Sequence, residues 1–309
     1  LDVIYPELDS FMNKSEIFKN NDKIERVGTV SGKYQQRLGS KSHIEQSLVH
    51  GKIEMCPVHT YPALLRKAGD VDPYRHGLSK GFSMPPSFPH SLLTDAGLCT
   101  FSHIEKITKN DTMRRVLTKI EITRGLCAYL HPIDRSTSLG FPYTRVDLGC
   151  GKQLVLSEDG DLHPLVWEIM KECENSLKLG VVPPQIVVDT MKYERGSPDR
   201  IMAGNTRVFD VCPFEFNLLM RKYFGAFVAA VQSHSSLGEI TVGVDPEGSD
   251  WIQMFESACR PGLLFIAGDY SAFDKALSLQ VVTMLASQIN KWYNGTYEEN
   301  LVREGLLMS

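Results

Sequence analysis

Apolar residues recur at helical spacing in several stretches of the chain. Leu165, Val166, Ile169, Met170, Cys173 and Leu177 follow Pro164 along one helix face, and Gly180 with Pro183 and Pro184 supplies a stop. After Pro213, the residues Phe216, Leu219, Tyr223, Phe227 and Val231 trace the core face of a second helix. Ser278 is placed to cap a third, whose face runs through Val281, Val282, Leu285, Ile289 and Trp292 and closes near Gly295. One more helical pattern begins at Thr296 and reaches Ser309 without a glycine stop, as if cut inside an element. Two short apolar runs predict strands. Ile186, Val187 and Val188 deliver the chain to a charged segment at Lys192; Leu263, Leu264, Phe265 and Ile266 end at Gly268, with Asp269 directly after. Met-Pro-Pro-Ser-Phe-Pro over 84–89 predicts a loop or linker, because proline lacks an amide donor and restricts its predecessor. Residues 11–52 are polar, with Lys14, Lys19, Lys23, Arg26, Lys33, Arg37 and Lys41 interleaved with acids, and read as a solvated arm.

A chain of 309 residues is long enough for two ordinary domains or one large portion of an enzyme. No apolar run approaches the roughly 20 residues that span a bilayer, so no transmembrane segment is expected. The start, Leu-Asp-Val-Ile-Tyr-Pro-Glu, lacks Met and a basic or long apolar stretch, and reads as an arbitrary or proteolytic beginning. Seven scattered cysteines without a C-x-x-C pair predict a reducing compartment. Cys56 and His59 have no second ligand pair to complete a zinc site. The net charge of −4 excludes a uniformly basic nucleic-acid coat and leaves the question to local charge.

Three segments carry candidate chemistry. In Gly268-Asp-Tyr-Ser-Ala-Phe-Asp274 the first carboxylate, Asp269, stands at a strand end, where magnesium can take one or two protein oxygens and fill its shell with water and phosphate. Asp274, near the start of the next helix, could accept a hydrogen bond from a ribose hydroxyl; a helix-capping role would explain it equally. The stretch 191–207 spreads Lys192, Arg195, Arg200 and Arg207 around a turn containing Gly196 and Pro198, which predicts two extended arms presenting cations to a polyanion. A surface hairpin with ion pairs to Glu194 and Asp199 would use the same residues. Asp134-Arg-Ser-Thr-Ser-Leu-Gly-Phe-Pro-Tyr143 offers the hydroxyls of Ser136, Thr137 and Ser138 and the backbone around Gly140 to phosphate oxygens, or is a plain turn.

Taken in order, these segments resemble motifs G, F and A of RNA-dependent RNA polymerases of picorna-like viruses (order Picornavirales). The matching features are the Thr-Ser-Leu-Gly-Phe-Pro-Tyr loop, the Lys192, Glu194, Arg200, Arg207 spacing, and the Asp-Tyr-Ser-Ala-Phe-Asp segment, with Gly243-Val-Asp-Pro before Trp251. The chain departs from the family at Tyr193, usually Asp, and at Asn205, where the family has a cation. Phe273-Asp-Lys is more like the insect and marine members. The resemblance implies an α+β right-hand polymerase fold, of which residues 1–48 would be a polar arm or polyprotein-derived region, 49–238 the fingers, and 239–309 the start of the palm, without a thumb. It implies template-directed nucleotidyl transfer with two Mg2+ ions, Asp269 being a metal ligand. Lys192, Arg200, Arg207 and Asp274 would bind the nucleotide, and Ser136, Thr137, Ser138 and Gly140 the template. RNA template and primer, nucleoside triphosphates and other viral replication proteins would be its partners, in the host cytoplasm at replication membranes. Motif B and the Gly-Asp-Asp of motif C would lie beyond Ser309, so the chain alone is expected to be inactive. The competing expectation is a non-catalytic RNA-binding or structural remnant of an integrated viral sequence; the coding region past Ser309 separates the two. A reverse transcriptase shares a strand-borne acidic motif but not the loop or the basic hairpin.

Overall fold

The computed structural model describes residues 60–309 apart from 81–84, 86, 144–150, 236–239, 246, 260–261, 263–267 and 271–272. In chain order the elements are strand β1 (Tyr61–Pro62), helices α1 (Pro73–Ser79), α2 (His90–Ile107), α3 (Lys119–Arg124) and α4 (Pro164–Lys178), strands β2 (Val188–Met191) and β3 (Arg195–Gly196), helix α5 (Pro198–Met202), strand β4 (Val208–Val211), and helices α6 (Phe214–Ser233), α7 (Ser249–Ala258), α8 (Phe273–Ala276), α9 (Leu279–Tyr293) and α10 (Tyr297–Met308). The polar arm, Cys56 with His59, and the strand expected over 263–266 lie outside the described residues. Cys99, Cys127, Cys173, Cys212 and Cys259 are free thiols. No described helix is long and apolar enough to cross a membrane.

The chain divides into two units. One comprises Leu1–Phe82 with Met191–Val208, the other Ser83–Thr190 with Phe209–Ser309. In the first, β1 pairs antiparallel with β3, Tyr61 opposite Gly196, and Ala63 N–H donates to the Glu194 carbonyl at 2.8 Å. Strands β2 and β4 form a separate two-stranded ladder, and within the first unit Lys192 N–H donates to the Arg207 carbonyl at 2.8 Å. The expected hairpin is therefore more elaborate than two arms and a turn. Between its arms the chain makes β3 and the short α5, because Ser197-Pro198 presets a helical first turn and Gly204, at φ +64°, ends it. The expected strand over 186–188 begins two residues later, at Val188.

In the second unit α6 is the central helix. Leu218, Leu219, Tyr223, Ala226 and Ala230 are buried, so more of its circumference is covered than the single face in the sequence pattern, and Phe216 and Phe227 are only partly buried. The core around it holds Val166, Met170 and Leu177 of α4, Phe101 and Ile104 of α2, Trp292 of α9, and Val302 and Leu306 of α10. Leu165, expected on the core face of α4, is 55% exposed, and the buried position one turn from Met170 is taken by Glu174. Burial opposes ionisation of that carboxyl, but hydrogen bonds from Lys222 Nζ (2.6 Å) and the Tyr223 hydroxyl (2.7 Å) outweigh it and hold Glu174 below the usual carboxylate range.

The helix ends follow local chemistry. The Ser278 hydroxyl accepts from Val281 N–H, as expected, and Thr296 and Glu299 form a reciprocal capping box at α10. Helix α9 closes one residue before Gly295. Asn294 takes the left-handed conformation, φ 49°, which asparagine tolerates better than other side-chain-bearing residues.

Candidate functional site

The basic hairpin folds around one carboxylate. Glu194 accepts from Arg207 Nε at 2.9 and 3.0 Å and from its Nη2, while Arg200 Nη2 stands 3.8 Å from the same carboxylate. The Arg207 hydrogen bond holds the Glu194 carboxyl below its ordinary range, and Glu194 in turn raises the Arg207 guanidinium. Glu194 is 18% exposed, whereas Arg200 and Arg207 are 49% and 58% exposed, so the acid is an inward anchor and the guanidinium faces stay open to solvent. Lys192 is exposed on the same hairpin. Arg195 is engaged elsewhere, with Nε donating to the Thr60 hydroxyl at 2.9 Å and Nη2 to the Thr60 carbonyl. The ion pairs to Glu194 expected of a surface hairpin are thus present together with the open cations expected of an anion site. Charge-assisted forks of this kind exchange one carboxylate for phosphate oxygens without a change of geometry class.

In the other unit, the hydroxyl-rich loop is organised by Asp134. Its Oδ1 accepts from Ser136 N–H (2.8 Å) and Ser136 Oγ (2.6 Å), and the Thr137 hydroxyl donates to the Asp134 carbonyl at 2.9 Å. The Ser136 hydrogen bonds lower the pKa of Asp134. Ser138 Oγ accepts from Gly140 N–H at 3.1 Å. Ser136, Thr137 and Ser138 are exposed, whereas Gly140 is buried at φ +75°, where an added Cβ would strike the Cys212 carbonyl. Gly140 therefore shapes the loop from beneath while the three hydroxyl residues form its surface. A residue absent from the motif reading also belongs here. Lys152 Nζ donates to the Thr137 hydroxyl and lies 5.6 Å from the Phe214 ring, and burial lowers its pKa. It stands 15 residues past Thr137, outside the loop's own string, so the spacing within that string does not reveal it.

Asp269 is exposed in irregular chain, and a Cβ built on the preceding Gly268 has no neighbour within 4 Å. The exposure of Asp269 fits a magnesium ligand contributing one oxygen to a shell otherwise made of water and phosphate. Among the described residues no group of three His, Cys, Asp or Glu could hold a metal by itself. Asp274 sits inside the one-turn helix α8, and its side chain lies outside the described atoms. Tyr270 and Phe273, which fall between the two acids in sequence and are 79% and 57% exposed, meet in a tilted ring contact at 5.7 Å.

Comparison with known proteins connects these segments. Residues 70–305 match the family model described as viral RNA-dependent RNA polymerase. The replicase polyprotein of acute bee paralysis virus is 29% identical over 277 residues, covering 87% of this chain and 14% of the polyprotein. That of cricket paralysis virus is 27% identical over 271 residues, covering 81% and 15%. Among solved structures, a Sicinivirus 3Dpol RNA-dependent RNA polymerase superposes with a TM-score of 0.62 at 20% identity, over 85% of this chain and 53% of that one. The chain spans about half the length of that polymerase. The superposition shows that the chain adopts part of the right-hand, mixed α and β polymerase fold.

Proposed function

The chain belongs to the viral RNA-dependent RNA polymerase family, and from that premise we propose that it supplies the triphosphate-binding cations and the first acidic motif for template-directed nucleotidyl transfer. The observation that carries the reading is the pair of open guanidinium groups, Arg200 and Arg207, anchored on Glu194. Lys192, Arg200 and Arg207 neutralise the polyphosphate of an incoming nucleotide, a role for which preorganised charge is the effective device. Asp269 would hold catalytic magnesium, which when bound supplies a Lewis acid at the reacting phosphoryl oxygens. Asp274 senses the ribose 2′-hydroxyl, and Ser136, Thr137, Ser138 and Gly140 set the course of the template backbone. Residues 49–238 serve as fingers and 239–309 begin the palm. Two-metal chemistry draws carboxylates from more than one element. These 309 residues contain no Gly-Asp-Asp, so by themselves they incorporate no nucleotide.

Single-nucleotide incorporation by a complete polymerase carrying this chain tests the reading. Arg200→Ala and Arg207→Ala each raise the KM for nucleotide on the order of tenfold, with smaller changes in RNA affinity. A loss confined to RNA affinity would make the hairpin a template contact instead. In the same assay Asp274→Ala narrows the preference for ribo- over deoxyribonucleotides; an unchanged preference removes that role from Asp274.

A further inference from the structure

Residues 60–80 and 191–208, the described part of the first unit, hold eight Lys and Arg against four Asp and Glu, in a chain whose net charge is −4. Positive charge is therefore concentrated around the hairpin, and one of its carriers comes from far away in sequence. Lys80, the residue that closes α1, donates from Nζ to the side-chain oxygen of Asn205, 125 residues later. Asn205 carries no charge itself; the contact brings an ammonium to its position.

That contact rests on close backbone packing. A Cβ on Gly77, one turn before Lys80, would strike the Val208 side chain and stand 3.3 Å from the Thr206 carbonyl, so the last turn of α1 lies directly on the arm that carries Arg207. A Cβ on Gly204 would strike Val71, just before α1. The Thr206 hydroxyl donates to the Leu64 carbonyl at 2.8 Å, and Asn205 N–H donates to the Arg200 carbonyl at 2.9 Å. Asn205 is thereby fixed to the same turn as Arg200, and Lys80 is fixed to Asn205. An ammonium has three donors and Asn205 takes one, which leaves donors for a ligand oxygen.

We infer that Lys80 is a fourth cation of the polyphosphate site, positioned by Asn205 beside the Arg200, Arg207 and Glu194 cluster. The inference rests on the reading of the hairpin as a triphosphate site and adds a binding residue to it. With Glu194 offsetting one of the charges of Lys192, Arg200 and Arg207, an additional ammonium raises the local positive potential that a polyphosphate meets.

The test is calorimetric titration of the 309-residue chain with inorganic tripolyphosphate, without magnesium. The expected result is that Lys80→Asn weakens binding on the order of fivefold, that Arg207→Ala weakens it at least as much, and that the exchanged pair Lys80→Asn/Asn205→Lys, which returns a cation to the same hydrogen bond, recovers the parent affinity to within about twofold. An affinity unchanged in Lys80→Asn but lost in Arg207→Ala overturns the role of Lys80 and leaves the hairpin reading standing. Loss in Lys80→Asn that the exchange does not recover makes the contact a structural link and overturns the role as well. If neither Lys80→Asn nor Arg207→Ala changes the affinity, the hairpin reading falls and the inference with it.

Discussion

Replacing Trp292 by Ala is expected to destabilise the larger unit by about 3–5 kcal/mol, the cost of removing a large buried aromatic from a packed core. The indole is 1% exposed, packs edge-on against Phe227 at 5.2 Å and Tyr293 at 4.8 Å, and lies under the Arg114 guanidinium at 4.8 Å. Its Nε1–H donates to the Thr108 hydroxyl at 2.9 Å, and that hydroxyl in turn donates to the Ile104 carbonyl. One side chain thus joins α9 to the end of α2 and to α6. Trp292→Phe keeps most of the packing and loses the hydrogen bond, so it should cost about 1–2 kcal/mol. Denaturant unfolding of the chain followed by far-UV circular dichroism measures both. A cost below about 1 kcal/mol for Trp292→Ala would show that this junction does not hold the unit together.

Such a junction was only half visible in the sequence. Helical spacing gives Trp292 a core position, since Val281, Val282, Leu285, Ile289 and Trp292 share a face. Its partners at and beyond the end of α2 could not be found that way, because Thr108 and Arg114 read as ordinary polar residues until the chain is folded. Arg303 is a sharper case. It sits in a segment, Tyr-Glu-Glu-Asn-Leu-Val-Arg-Glu, whose composition suits a solvated face, yet it is fully buried. Its Nε donates to Asn290 at 2.6 Å, its Nη2 to Asn300 at 2.8 Å, and its guanidinium covers the Tyr293 ring at 4.4 Å. Burial of a charge is set by tertiary partners, which periodicity does not encode. Helix termini behaved differently. The Ser278 cap and the stop at Gly180 depend on neighbours within a few residues, so they could be read directly.

The candidate site divides along the same line. The cations of the hairpin and the hydroxyls of the loop were legible as local strings, and the structure places them on one hairpin and one loop surface. The sequence shows Glu194 only as one of two possible ion-pair partners, with Asp199, and not as a shared anchor. Lys152 and Lys80, each brought to its motif by chain folding, carry no sequence signal near the residues they touch.

Asp269→Ala is expected to reduce nucleotide incorporation by a complete polymerase carrying this chain on the order of a thousandfold or more, since it removes a carboxylate that would hold a catalytic ion in a site built on electrostatic stabilisation. Asp269 is exposed, so among the described residues Ala at this position leaves no buried partner unsatisfied. Folding and RNA affinity should therefore stay at the parent level while chemistry is lost. Primer extension on a defined RNA template, read together with RNA binding by fluorescence anisotropy, is the most direct test of the central claim. The account predicts template-directed extension by the parent polymerase, none by the 309-residue chain alone, and none by Asp269→Ala despite parent-like RNA binding. Extension by Asp269→Ala at a rate near the parent's would contradict it.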